Sequence, residues 1–170
     1  GFPDCDISIA HTADIGVAIA RPRPPDTPPD TPGLGIDVVE ITQHPDSTLT
    51  YALSESELAL LESFGPAERH RWFARFWAAK EAVGKGEGTG LDGRPRRFTV
   101  VAATESGLVV TVGDRVYQVG FREVRNPDDL PPRTYVVAWT WGPEPASAPS
   151  RGMPSTPDTP NRVPPTPAGG

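Results

Sequence analysis

Apolar and polar positions follow two periods along this chain, and the changes of period mark its elements. Ile7 and Ile9 alternate with Ser8, and Val17 and Ile19 alternate with alanines, so residues 5–20 predict two short strands around a turn at 12–14. The run 33–41, GLGIDVVEI, is apolar and β-branched and predicts a buried strand that Asp37 interrupts. Ser54 with Glu57 has the capping-box spacing and opens a helix expected to reach Phe64. Gly65-Pro66 separates it from a second helix, with Pro66 suited to a first helical position. That second helix, WFARFWAAKEAVGK at 72–85, carries the densest aromatic cluster, and Trp72, Phe76 and Val83 fall on one face. A glycine-rich exit, GEGTGLDG at 86–93, leads to strands expected at 98–103, 108–112, 116–124 and 134–141. Gly107 and Gly113-Asp114 mark the hairpins between the first three.

Proline changes this picture at two places. Six prolines fall within 21–32 and predict an extended, exposed linker; nine more fall within 142–170 and predict a disordered tail. With 170 residues the rest makes one domain with appendages, and the 36% apolar content is low only because of these segments. No internal repeat is evident. The net charge of −6 argues against general nucleic-acid binding. It is uneven, however: between 66 and 97 eight Lys/Arg face four acids, a local excess of +4 suited to an anionic ligand or acidic partner. The single cysteine, Cys5, excludes an internal disulfide and a cysteine-based zinc cluster. No apolar run approaches ~18 residues, so no membrane span is expected, and the cytoplasm is the expected compartment.

Three groups carry candidate chemistry. A bare carboxylate such as Asp37 inside a buried strand costs several kcal/mol unless it is paired or metal-bound. Lys80, Glu81 and Lys85 crowd one helix end, offering a carboxylate flanked by two ammonium groups. His11 ends the first strand. Two carboxylates from different elements suit a Mg2+ that keeps waters and takes further oxygens from a substrate phosphate, while the lysines hold phosphate charge. Plainer readings stand beside these. Asp37 could be a buried aspartate paired with a lysine. Glu81 and Lys85 alone would be a surface pair worth ~0.3 kcal/mol. The Trp72 stripe is core, and the basic stretch 94–97 reads as a solvated loop with a partner contact as its lesser alternative. GEGTG lacks the Gly-Lys-Ser/Thr ending of a nucleotide-hydrolase loop, and His44 and His70 receive no role.

GLGIDVVE followed some forty residues later by FWAAKEAVGK resembles the paired signature motifs of the 4'-phosphopantetheinyl transferases. SIAHT, ahead of the aspartate strand, resembles the serine-histidine motif of the two-lobed members that activate surfactin synthetase. The resemblance implies that Asp37 and Glu81 bind Mg2+. It further implies that Lys80, Lys85 and His11 contact coenzyme A phosphates, that Thr12 lies near the nucleotide, and that Glu81 and Lys85 act in catalysis. The implied reaction moves phosphopantetheine from coenzyme A to a serine of an acyl or peptidyl carrier protein and releases 3',5'-ADP.

The order of motifs is two-lobed, yet Val39 stands where two-lobed members place a second acid, and GIDVVEI resembles the small holo-acyl-carrier-protein synthases. The third metal ligand is then Glu40 or water, with Glu40 expected on the opposite strand face. The expected fold is α+β, an antiparallel sheet packed on the long central helix plus the remnant of a first lobe. Its parts are 1–21, end strands of that truncated lobe; 22–32, linker; 33–141, transferase domain; and 142–170, tail. The sequence thus reads as the C-terminal piece of a longer enzyme, of polyketide megasynthase type, that associates with a missing lobe or with a second copy. Two other classes fit the same residues: a non-catalytic module that docks carrier protein or coenzyme A, and a Mg2+-dependent phosphodiesterase.

Overall fold

The computed structural model describes residues 4–12 and 14–145. Strands β1 (Cys5–His11) and β2 (Gly16–Pro22) form an antiparallel hairpin. Then follow β3 (Gly35–Glu40), α1 (Asp46–Ala52), α2 (Glu55–Glu62), α3 (Arg69–Gly86), a 3-10 turn (Pro95–Arg97), β4 (Thr99–Thr104), β5 (Gly107–Val112), β6 (Arg115–Arg125) and β7 (Thr134–Thr140). The last four strands and β3 make a five-stranded antiparallel sheet in the order β3-β7-β6-β5-β4. The α+β architecture with a long central helix is the expected one. Among the described residues no helix is long and apolar enough to cross a membrane.

Alternation along the strands gives the sheet two apolar faces, and each is covered differently. Val136 and Ala138 of β7 face α3 and join the main core with Trp72, Phe76, Val83 and Tyr117. Burying one such aromatic side chain contributes about 1.5–3 kcal/mol. On the other face Ile36, Val38, Tyr135 and Val137 pack against Ala10, Val17 and Ile19 of the hairpin. The hairpin therefore closes the second side of this sheet. Its outer surface leaves Ile7 and Ile9 63% and 66% exposed.

Helix α2 begins as expected: Ser54 caps it, and Glu57 returns a bond to the Ser54 N–H at 2.8 Å. Helix α1 is absent from the sequence reading. Its seven residues, DSTLTYA, are too few and too polar to show a period, and packing of Leu49 and Ala52 orders it. The segment expected as an extended linker instead turns twice. PPDT occurs in tandem, and the Thr27 and Thr31 N–H groups donate to the Pro24 and Pro28 carbonyls at 3.1 Å each. Proline at the second position presets such a turn, and threonine supplies the donor that proline lacks. Arg21 and Arg23 tie this segment to Asp6 at 3.2 and 3.1 Å.

The expected disordered tail departs from that reading at its start, because the Glu144 N–H donates to the Val116 carbonyl at 2.7 Å and Pro143 bridges Tyr117. Residues 146–170, the rest of that expectation, lie outside the described residues.

Lys80 is fully buried, and it fixes how α3 is turned. Its ammonium donates to Glu57 Oε2 at 2.9 Å, the Ala52 carbonyl at 2.8 Å and the Pro95 carbonyl at 3.2 Å. Glu57 also accepts from the Val100 N–H at 2.8 Å. Removing either partner strands the other charge in the core. Lys80→Ala is expected to cost about 3–5 kcal/mol in urea unfolding. Lys80→Met with Glu57→Gln should recover at least half of that loss, whereas additive losses would show that the two groups are not coupled.

Candidate functional site

Glycines let the C-terminal half of α3 cross β3 almost in backbone contact. A Cβ on Gly35 would lie 1.9 Å from the Ala82 carbonyl oxygen, and one on Gly86 would lie 2.9 Å from that of Gly33. The Gly33 N–H in turn donates to the Gly86 carbonyl at 2.8 Å. Odd-numbered residues of β3 consequently face the helix, and Asp37 stands two positions beyond the crossing.

There Asp37 meets Lys85, whose Nζ lies 2.9 Å from Asp37 Oδ1. The same ammonium donates to the Ile36 carbonyl at 3.1 Å and to the Ile9 carbonyl of the hairpin at 3.2 Å. Glu81, one helical turn before Lys85, shares the field of both groups. Burial, then the Asp37 charge, push its carboxyl above the ordinary range, with Lys85 opposing them. Burial also raises Asp37, against the hydrogen bond and charge of Lys85. Burial of both groups, and at Glu81 the Asp37 charge as well, thus disfavour the ionised carboxylates here.

That cost is what a bound cation would relieve, and two hard oxygen donors fit a Mg2+ completing its shell with water and substrate oxygens. Among the described residues no cluster of three or more His, Cys, Asp or Glu is placed to hold a metal. Glu40 stays outside the pair, as its strand parity implies: it faces the hairpin side and lies 3.7 Å from Arg133, which also bonds Asp14.

Lys80 requires a correction. Expected beside Glu81 as a second phosphate contact, it points instead into the α1–α2 junction, where three acceptors enclose it. Burial lowers its pKa, with Glu57 opposing. A rotation of about 100° between adjacent helix positions sends Lys80 to the core and leaves Glu81 at the site. The helix end therefore presents one ammonium group, Lys85. His11 is exposed at the end of β1, and the hydroxyl of the adjacent Thr12 is buried without a hydrogen-bond partner among the described residues.

Two further features escape the sequence pattern. An apolar groove of about 460 Å³ is walled by Val39 and Glu40 of β3, His44, Tyr51 of α1, and Phe73 and Trp77 of α3. His44, without a role in the sequence reading, stands edge-on to Phe73 at 5.1 Å. Beyond the helix end, Glu87 anchors the glycine-rich loop by accepting from Arg115 and Tyr117. Burial alone would raise Glu87, but these two donors hold it below the ordinary range; burial, then the bond to Glu87, raises Tyr117.

Glu81→Gln tests the electrostatic cost directly. A carboxyl whose folded pKa is raised disfavours folding above that pKa, and the penalty vanishes as pH falls through it towards the unfolded value. The variant is therefore expected to melt higher than the parent at pH 7.5 and no higher near pH 4. A melting temperature lowered at pH 7.5 would count against the arrangement.

Residues 33–140 match the family model described as 4'-phosphopantetheinyl transferase superfamily. Among solved structures, the chain is similar to the holo-[acyl-carrier-protein] synthase of Thermotoga maritima, at 24% identity and a TM-score of 0.47, over 65% of this chain and 64% of that one. It is also similar to a holo-(acyl-carrier-protein) synthase from Bacillus anthracis, solved in complex with CoA (3',5'-ADP), at 19% identity and a TM-score of 0.46, over 65% of this chain and 96% of that one. The chain thus spans less than two thirds of the T. maritima structure. No curated protein matches it.

Proposed function

From the premise that this chain belongs to the 4'-phosphopantetheinyl transferase superfamily, we propose that it transfers phosphopantetheine from coenzyme A to a serine of an acyl or peptidyl carrier protein. The observation that carries this reading is the convergence of Asp37, Glu81 and Lys85 where β3 crosses α3, inside the matched region.

In the proposed reaction the serine hydroxyl forms a bond to the β-phosphorus of coenzyme A. The bond from that phosphorus to the bridging oxygen breaks, and 3',5'-ADP leaves with the electron pair. Asp37 and Glu81 would hold a Mg2+, which would supply neutralisation of the pyrophosphate charge. Glu81 takes the serine proton, directly or through water. Lys85 offers its remaining charge to the departing phosphate, and its grip on Asp37 keeps that carboxylate aimed at the helix. Thr12, whose hydroxyl has no hydrogen-bond partner among the described residues, and His11 are the proposed contacts to the nucleotide end. The apolar outer face of Ile7 and Ile9 supports association with a second transferase lobe.

Intact mass of an apo carrier protein after incubation with this chain, coenzyme A and Mg2+ tests the reading. A phosphopantetheine-sized gain that EDTA abolishes is expected, and Asp37→Ala or Glu81→Gln should lower the rate by at least about a hundredfold. Unchanged turnover in either variant would remove the metal assignment.

A further inference from the structure

The tip of the N-terminal hairpin is bolted to a loop 112 residues further along the chain. In the turn between β1 and β2 the Thr12 N–H donates to the Ile15 carbonyl at 2.8 Å, and Asp14 stands in that turn, three positions after His11. Asp14 Oδ2 accepts from the Tyr135 hydroxyl at 2.9 Å and from Asn126 Nδ2 at 3.2 Å, and Arg133 Nη1 lies 3.2 Å from it. These partners sit on a rigid frame. Tyr135 is fully buried, in the apolar cluster that takes in Ile15 and Val17 of the hairpin. Asn126 closes the mouth of the loop between β6 and β7: its N–H donates to the Arg133 carbonyl at 3.1 Å and its side chain to the Pro131 carbonyl at 2.8 Å.

A carboxylate this near His11 and Thr12 would repel a phosphate if its charge were free. The bonds from Tyr135 and then Asn126, with the Arg133 charge added, outweigh desolvation and hold the Asp14 carboxyl below its ordinary range. Its charge is thereby turned away from the tip and towards the loop. The open end of the hairpin has a clamp of the same kind, Asp6 with Arg21 and Arg23. Asp6 and His11 are five positions apart, however, about 17 Å along a strand, so that clamp does not hold the tip.

We propose that Asp14 is a positioning residue for the nucleotide half of coenzyme A: by locking the hairpin tip to Tyr135, Asn126 and Arg133, it holds His11 and Thr12 where they meet the nucleotide. The proposal rests on the transferase reading, which assigns those two contacts. A tip free to swing would spread the imidazole and the Thr12 hydroxyl over many positions, an entropy that binding would have to overcome. The chemical step keeps its geometry without the lock. Ser8 and Ile9, which meet β3 and Lys85, lie below the tip and are paired with Ile19 and Ala18 of β2.

The test titrates 3',5'-ADP into the full chain by calorimetry and, separately, measures kcat and the KM for each substrate of transfer by mass. Asp14→Ala is expected to weaken 3',5'-ADP binding and raise the KM for coenzyme A roughly tenfold, with kcat held within about twofold and the KM for carrier in place. Tyr135→Phe removes one donor and no charge; it should act in the same direction more weakly, and the two changes together should fall short of the product of their effects. Asp6→Ala loosens the far end of the hairpin and should lower the melting temperature without moving either constant. Thermal melts of each variant establish that it is folded. A lower melting temperature for Asp14→Ala with unchanged affinity for 3',5'-ADP would overturn the proposal, and so would an equal loss in Asp6→Ala. Tighter binding by Asp14→Ala would show that its charge repels the nucleotide and would overturn it too, as would a parent that does not bind 3',5'-ADP. Transfer whose KM for coenzyme A ignores Asp14 defeats the positioning role and spares the transferase reading. Asp14-dependent binding of 3',5'-ADP without any mass gain does the reverse.

Discussion

The buried ion pair of Lys80 and Glu57 is the constraint on which the other placements depend. Two opposite charges removed from water are expensive, and only complete satisfaction makes them tolerable. Here the satisfaction comes from four elements at once: the end of α1, the cap of α2, the turn at Pro95 and the first strand residues after it. Each gains little alone. Together they leave Lys80 one position, and that position sets the rotation of α3 about its own axis. With Lys80 held in the core, Glu81 and Lys85 have no choice but the β3 side.

Glycine supplies the matching constraint on the opposite side of the helix. Gly35 and Gly86 let two backbones approach where any side chain would hold them apart. The separation between Asp37 and Lys85 follows from that approach. A helix fixed in rotation by an ion pair and in distance by two glycines can hold like charges together, because neither carboxylate can relax by moving away. Burial raises the carboxyls of Asp37 and Glu81, and the Asp37 charge raises Glu81 further. Natural sequences accept local conflict of this kind where chemistry needs it.

Features encoded by neighbours in sequence were legible before the fold was known. The Ser54–Glu57 capping box, the hairpin glycines at Gly107 and Gly113, and the Trp72–Phe76–Val83 stripe each rest on spacing within a few residues. Asp37, Glu81 and Lys85 could be singled out because their types and positions clash with a buried setting. What could not be read depends on distant partners. Nothing local says that Lys80 finds Glu57, 23 residues away, instead of sharing the site with Glu81. Nothing local orders α1, whose Leu49 and Ala52 gain their burial from tertiary packing. The groove was invisible for the same reason, since Tyr51 and Trp77 come to line one surface only in the folded chain.

The N-terminal hairpin shows where a division of the chain by composition misleads. A proline-rich run separates it from β3, which suggested a remnant standing apart. Its interior side chains nevertheless cover one face of the sheet, and its backbone reaches the site. The Ile36 N–H donates to Ser8 Oγ at 3.0 Å, while Lys85 bridges the carbonyls of Ile36 and Ile9. An edge strand normally leaves such groups to water or to another chain. Here the hairpin and a site lysine take them, so the free edge of β3 becomes a wall of the candidate site. Losing the hairpin would strip Lys85 of one acceptor and reopen that edge, which ties the position of the one remaining ammonium to a segment that composition alone would set aside.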